Sequence, residues 1–222
     1  LPKDNYFLFN KNKKEISKIS KGVVFSTRNI CHLGHQYIHE EVLKKNKYLT
    51  ICIIESEKNK FDGKLLTDSY LLLKKKTNLY KNVYIVKILL PSLFAGPNEA
   101  YLQANLFKNN KFKKFIVGRD HAGYKNFYGY YQSQKFCYKN QSKLKIRIVA
   151  GKEPFYCQNC KQIKNKKCLK KNCSKSKKVK ISGSKIRSLL VKNRVIPNYL
   201  MDRNISKLIR RKSKINLDWF RP

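Results

Sequence analysis

Apolar runs of strand length recur along the chain, at residues 22–25, 49–54, 83–90, 115–117 and 146–149. They are nearly continuous in hydrophobicity rather than alternating, as strands buried on both faces are. Between them, residues 35–45, 65–75, 98–109 and 127–136 carry apolar side chains at helical spacing. Strand and helix alternate, and that order predicts an α/β domain built on a doubly wound parallel sheet. Ligands of such sheets gather at the carboxyl ends of the strands. The residues around Ser26 and Gly118, each at the end of an apolar run, are therefore the first places to look for chemistry.

Two stretches break the alternation. Residues 155–178 are rich in Cys and Lys and read as a small insertion, and residues 204–222 form a basic tail that starts as a helix around 205–209. A chain of 222 residues, 41% of them hydrophobic, can bury one full core and a small appendage, so residues 1–222 read as one main domain. No run approaches the roughly 18 apolar residues that cross a bilayer, and Leu1-Pro2-Lys3-Asp4-Asn5 lacks the apolar core of a secretory signal. No membrane partner is expected, and a cytoplasmic location is. Because the chain opens on Leu rather than Met, a preceding segment is expected as well.

Charge changes the picture next. Lys and Arg number 51 against 13 Asp and Glu, a net charge of +38, which points to polyanions. Only nine of the 51 are Arg, the side chain best shaped for bidentate phosphate and base-edge recognition. The lysines are spread among Asn and Ile along the whole chain. They read as compositional drift over exposed positions in preference to a selected nucleic-acid surface, though that alternative stays open. Small anionic substrates benefit from the field in either case.

Candidate chemistry sits in three motifs. Ser26-Thr27-Arg28-Asn29-Ile30-Cys31-His32-Leu33-Gly34-His35 lies between a strand and a helix. A helix start supplies free N–H groups, Gly34 permits close approach, and His32, His35 and Arg28 can hydrogen-bond phosphates. The plain alternative is two structural histidines at a helix start. Gly118-Arg119-Asp120-His121-Ala122-Gly123 follows another apolar strand, and its glycines suit a tight loop that presents Arg119 and backbone amides to an oxyanion. A salt-bridged turn is the alternative there. Ile181-Ser182-Gly183-Ser184-Lys185-Ile186-Arg187 reads equally as a capped helix start and as an anion contact.

His32-x-Gly34-His35 together with Ile181-Ser182-Gly183-Ser184-x-x-Arg187 resembles the nucleotidyltransferase superfamily. Thr27-Arg28-Asn29 and the Gly118–Gly123 hexapeptide resemble the ATP sulfurylases in particular, with supporting likenesses at Leu1-Pro2, residues 94–100, Phe127-Tyr128-Gly129, Phe155-Tyr156-Cys157 and Ile196-Pro197. The resemblance implies a Rossmann-like nucleotidyltransferase fold and an N-terminal PUA-like domain upstream of this stretch. It also implies sulfate adenylyltransferase chemistry: ATP and sulfate give adenylyl sulfate and pyrophosphate, or the reverse, with Mg²⁺ accompanying ATP. Implied roles follow the motifs. Thr27, Arg28 and Asn29 would surround the sulfate and α-phosphate, His32 and His35 the ATP phosphates, and Gly118, Arg119, Asp120 and His121 the phosphates from the second loop. Ser26, Arg28, Arg119 and Ala122 would face sulfate or adenylyl sulfate. The family often forms homo-oligomers, so a second copy is among the implied partners.

This sequence departs from the family at three places. Gln is usual where Ser26 stands, Pro where Ile30 stands, and a small, Gly-containing pair where Tyr124-Lys125 stands. A sulfate ligand is thereby lost at position 26. The runner-up readings are another nucleotidyltransferase of the superfamily, or a degenerate homologue that binds nucleic acid or a partner. No Gly-x-x-x-x-Gly-Lys-Ser/Thr run occurs, so no fused adenylyl-sulfate kinase is expected in this stretch.

Cys157, Cys160, Cys168 and Cys173 form a C-x2-C-x7-C-x4-C array whose four thiolates can close a tetrahedral zinc site, with a redox pair as the alternative. Neighbouring lysines would offset its negative charge. Four protein ligands leave no open position, so the expected Zn²⁺ is structural. Some bacterial ATP sulfurylases resemble this in carrying a zinc loop before the third motif. Cys31, Cys52 and Cys137 are scattered and read as small buried apolar groups.

Overall fold

The computed structural model describes residues 19–56, 61–119, 121–123, 127–165, 173 and 178–213. Asp120 and Cys168 among the site candidates, Leu1-Pro2, Tyr124-Lys125 and the tail beyond residue 213 lie outside the described residues.

The first half alternates as the apolar pattern predicts: β1 (Val23–Thr27), α1 (Leu33–Leu43), β2 (Leu49–Glu55), α2 (Gly63–Lys76), a 3₁₀ turn over Asn78–Asn82, and β3 (Val83–Leu89). It continues through α3 (Pro97–Asn109), β4 (Lys114–Val117), α4 (Gln132–Lys139), α5 (Gln141–Leu144) and β5 (Arg147–Ala150). The five strands pair in the order β3-β2-β1-β4-β5, every pair parallel. The chain therefore builds outward from β1 to β3, then crosses to the other side of β1 to lay down β4 and β5. That reversal leaves a crevice beyond the carboxyl ends of β1 and β4.

Both faces of the sheet are covered. Val23 and Phe25 pack in one apolar cluster with Leu66 and Tyr70 of α2, while Val24 between them packs in the other with Ala104 and Phe107 of α3. The two-residue period of a strand produces this split, and it explains why the strands read as unbroken apolar runs. The helix starts are set locally. Asp62 accepts from the backbone N–H of Lys64 (2.7 Å) and Leu65 (3.1 Å) to cap α2, and Pro97 begins α3 where a missing N–H costs nothing.

After β5 comes a three-stranded antiparallel sheet, ordered β7-β6-β8, of β6 (Phe155–Cys157), β7 (Gln162–Lys164) and β8 (Lys178–Lys180). Strands of three residues carry too little pattern to be read from sequence. Helices α6 (Gly183–Val191) and α7 (Arg203–Ser213) follow. The α7 residues Ile205 and Ile209 join the α2 side of the core, and Lys212 pairs with Asp68 of α2. The helix expected over residues 127–136 starts at Gln132 instead. Tyr131 adopts a left-handed backbone (φ 63°), and Phe127 is 80% exposed.

Candidate active site

Ser26 and Thr27 are the last two residues of β1 rather than the first of the loop, and both are buried. The Thr27 hydroxyl oxygen accepts the Asn29 backbone N–H at 3.0 Å, a local turn that lifts Arg28 and Asn29 off the strand end. Arg28 lies against the Phe94 ring at 5.0 Å and 3.2 Å from Glu99, a carboxylate on α3 that is 1% exposed. Withdrawal from water lowers the Arg28 pKa, and the Glu99 charge opposes this.

His32 caps α1. Its Nδ1 accepts the His35 backbone N–H at 3.2 Å, so Nδ1 is unprotonated and a neutral ring carries its proton on Nε2. Burial, with Arg187 second, pushes the His32 pKa down to about 4. His35 stacks on His32 at 3.8 Å and holds Nδ1 3.3 Å from the Tyr70 hydroxyl. Its pKa also falls well below the ordinary value, through desolvation first and then His32 and His39. The pair is therefore neutral at pH 7 and meets an anion as N–H donors rather than as cations. Gly34 makes room for this: a Cβ there would sit 3.0 Å from two atoms of the His32 ring.

In the second loop the Gly118 N–H donates to His121 Nδ1 (3.5 Å), and His121 Nε2 lies 2.8 Å from Gln103 Oε1. Both ring nitrogens of His121 thus have partners inside the protein. Arg119 pairs with Glu153 at 3.0 Å and lies against Tyr130 at 4.7 Å. Ala122 takes a left-handed backbone (φ 57°), and its carbonyl accepts the Gly96 N–H at 2.9 Å. Gly118 faces open space, since a Cβ there would meet nothing within 4 Å.

The third motif is a capped helix start that also turns its arginine toward the first motif. The Ser182 hydroxyl caps α6 by accepting from the Lys185 N–H at 3.3 Å, and Arg187 one turn later donates to Asn29 Oδ1 at 2.5 Å and to Ser184 Oγ at 3.1 Å. These three segments enclose a cavity of about 600 Å³ beyond the carboxyl ends of β1, β4 and β5. Every described candidate from the first two motifs lines it, and so do Arg187, Gln103, Lys152 and Glu153, which the sequence reading leaves out of the site. Arg187 stands in a motif already singled out. Gln103 and Glu153 stand in no motif and become visible only when α3 and the loop after β5 are folded against it.

A family model described as ATP-sulfurylase matches residues 10–212. The chain belongs to the ATP-sulfurylase family. It is 31% identical over 206 residues to the sulfate adenylyltransferase of Hyperthermus butylicus, covering 90% of this chain and 52% of that protein. For the sulfate adenylyltransferase of Pyrococcus abyssi the values are 32%, 85% and 49%, and for that of Carboxydothermus hydrogenoformans 31%, 93% and 55%. The chain thus spans about half the length of the curated relatives it matches. Among solved structures it resembles the hexameric APS kinase from Thiobacillus denitrificans, with a TM-score of 0.65 and 11% identity over 89% of this chain and 37% of that one. At that identity the likeness concerns the fold alone.

The Cys157, Cys160 and Cys173 sulfurs all lie within 4.8 Å of one another, a group that could hold a metal ion. Cys160 and Cys173 are 2.9 Å apart and Cys157 and Cys173 3.9 Å, beyond disulfide length, so none of the three is in a disulfide. Cys31, Cys52 and Cys137 are fully buried, and burial raises their thiol pKa values, that of Cys137 to about 11. They suit the role of small apolar groups. Among the described residues no helix is long and apolar enough to cross a membrane.

Proposed function

We propose that the chain is the nucleotide-binding part of a sulfate adenylyltransferase, which joins sulfate to the adenylyl group of ATP with release of pyrophosphate, or runs the reverse. The observation that carries this reading is the convergence of Arg28, Arg119 and Arg187 with two neutral histidines on one cavity, in a chain of this family. The strand order and the position of that cavity support a doubly wound, Rossmann-like fold.

A sulfate oxygen would attack the α-phosphorus as the bond to pyrophosphate breaks. Sulfate is already an anion, so the attacking atom needs no general base. Catalysis then rests on holding two anions that repel each other and on stabilising charge on the equatorial and leaving oxygens. Arg28 and Arg187 flank the strand end where sulfate and the α-phosphate would meet. His32 and His35 would donate to the polyphosphate from the α1 start, and Arg119 would face adenylyl sulfate from the opposite loop. Mg²⁺ carried by ATP would supply further neutralisation of the phosphates.

The insertion would hold a structural Zn²⁺. A tetrahedron of thiolates with 2.3 Å Zn–S bonds has edges of ~3.8 Å; Cys157 and Cys173 are at that spacing at 3.9 Å, Cys160 and Cys173 at 2.9 Å would move apart on a metal ion, and Cys168 would be the fourth ligand. The absence of a disulfide at the six described cysteines suits a reducing cytoplasm.

The test is sulfate-dependent pyrophosphate release by the full-length protein. Arg28→Ala is expected to lose about 3 kcal/mol of transition-state stabilisation, the scale of a lost oxyanion donor. Near-normal turnover by that variant would sink the assignment.

A further inference from the structure

One wall of the cavity contains a hydrogen-bond chain whose direction is set at a single backbone amide. The Gly118 N–H can only donate, so His121 Nδ1 accepts (3.5 Å), and a neutral ring must carry its proton on Nε2. That N–H donates to Gln103 Oε1 at 2.8 Å, and the same oxygen accepts the Ser26 hydroxyl at 2.8 Å. With the carbonyl oxygen so committed, the amide nitrogen of Gln103 faces the other way and donates to Glu99 Oε1 at 3.2 Å. Glu99 Oε1 is also the oxygen that lies 3.2 Å from Arg28 Nη1. The amide orientation is thus set at both ends, by the His121 N–H that its oxygen accepts and by the Glu99 carboxylate, which can only accept from its nitrogen.

The two ends of the chain differ in character. Gln103 and Glu99 are each 1% exposed, and among the described residues Glu99 Oε2 makes no hydrogen bond. The carboxylate is therefore fixed at Oε1 alone, by Gln103 and by the charge of Arg28. Arg28 Nη1 makes no aligned hydrogen bond either, so charge and the Phe94 ring hold the guanidinium in place. Removing Gln103 would leave a buried carboxylate with only the Arg28 charge to orient it.

We propose that Gln103 is a positioning residue that couples the Gly118–Ala122 loop to Arg28 through Glu99. It supplies from α3 an amide at the strand end, where Ser26 presents only a hydroxyl. The inference rests on the sulfate adenylyltransferase reading for what Arg28 binds, but not for the chain of hydrogen bonds itself.

Two measurements on the full-length protein test it. Nitrogen chemical shifts of the His121 ring should show a neutral ring with its proton on Nε2. A double-mutant cycle with Gln103→Met and Arg28→Met, read by calorimetric binding of adenylyl sulfate, should show that the two act together. Gln103→Met is expected to weaken binding about tenfold alone and less than about twofold when Arg28 is already replaced. Equal losses in both backgrounds, or a proton on Nδ1, would overturn the proposal. Should Gln103→Met fail to fold, Gln103→Glu, which loses the donor to Glu99, serves in the same cycle. If the unmodified protein binds no adenylyl sulfate, the functional reading fails instead, and the ring-nitrogen measurement decides the chain by itself.

Discussion

Asn29 and Arg187, 158 positions apart in sequence, meet at 2.5 Å. The pairing fastens the loop after β1 to helix α6 and aims a second guanidinium at the strand end that Arg28 already serves. The second nitrogen of Arg187 is held by Ser184 at 3.1 Å, so the fork is oriented before any ligand arrives. Preorganised donors of this kind cost no reorganisation during reaction. Arg187→Ala is therefore expected to lower turnover by about 100-fold or more, with little change in thermal stability. A loss under tenfold would remove Arg187 from the reacting centre.

Gly183 is what lets that pair form. A Cβ at Gly183 would lie 3.0 Å from Asn29 Oδ1 and 3.2 Å from Arg187 Nη1. Gly183→Ala should displace the guanidinium while leaving α6 about as stable as before, because Gly183 is its first residue and Ala is compatible with a helix start. Activity is expected to fall about tenfold at a nearly unchanged Tm. Parallel activity and melting measurements check both halves.

Acid should destabilise the fold through its histidines. Desolvation, with Arg187, His32 and Arg28 as the respective second causes, pushes His32, His39 and His121 down to about 4, 3 and 3. An unfolded His takes up its proton near 6.5. Below that pH the unfolded chain binds protons that the folded chain refuses. Stability should thus fall from about pH 6.5 downward, with a slope of up to ~1.4 kcal/mol per pH unit from each group. Urea midpoints at pH 7.5 and 5 measure this, and an unchanged midpoint would contradict the neutral, desolvated state of these rings.

The sheet was largely legible in the sequence, and the site only in part. Strands buried on both faces need apolar residues at every position, so β1 to β5 stand out as runs. The N-terminal half of the helix expected over 127–136 is a loop instead, because an aromatic-rich segment such as Phe127-Tyr128-Gly129-Tyr130-Tyr131 is compatible with helical spacing while Tyr131 takes a left-handed turn. His39 belongs to the core rather than to the cavity. It sits one turn beyond His35, fully buried, with Nδ1 2.8 Å from the Tyr80 hydroxyl. Residues that reach the cavity from neighbouring elements, Gln103 and Glu153 above all, carry no local signal because their role is created by long-range packing.

Zinc should be measurable without any assay of activity. The purified protein is expected to hold about one Zn²⁺, and Cys157→Ser or Cys173→Ser should lower both zinc content and Tm, because closed thiolate sites contribute folding energy directly. Full stability in a zinc-free protein would remove the structural role.

The most direct test of the account is ATP formation from adenylyl sulfate and pyrophosphate in the presence of Mg²⁺. The account predicts ATP formation by the full-length protein and a loss of about 100-fold or more in Arg119→Ala, whose guanidinium lines the cavity beside Glu153. A folded, zinc-loaded, full-length protein that forms no ATP would contradict it.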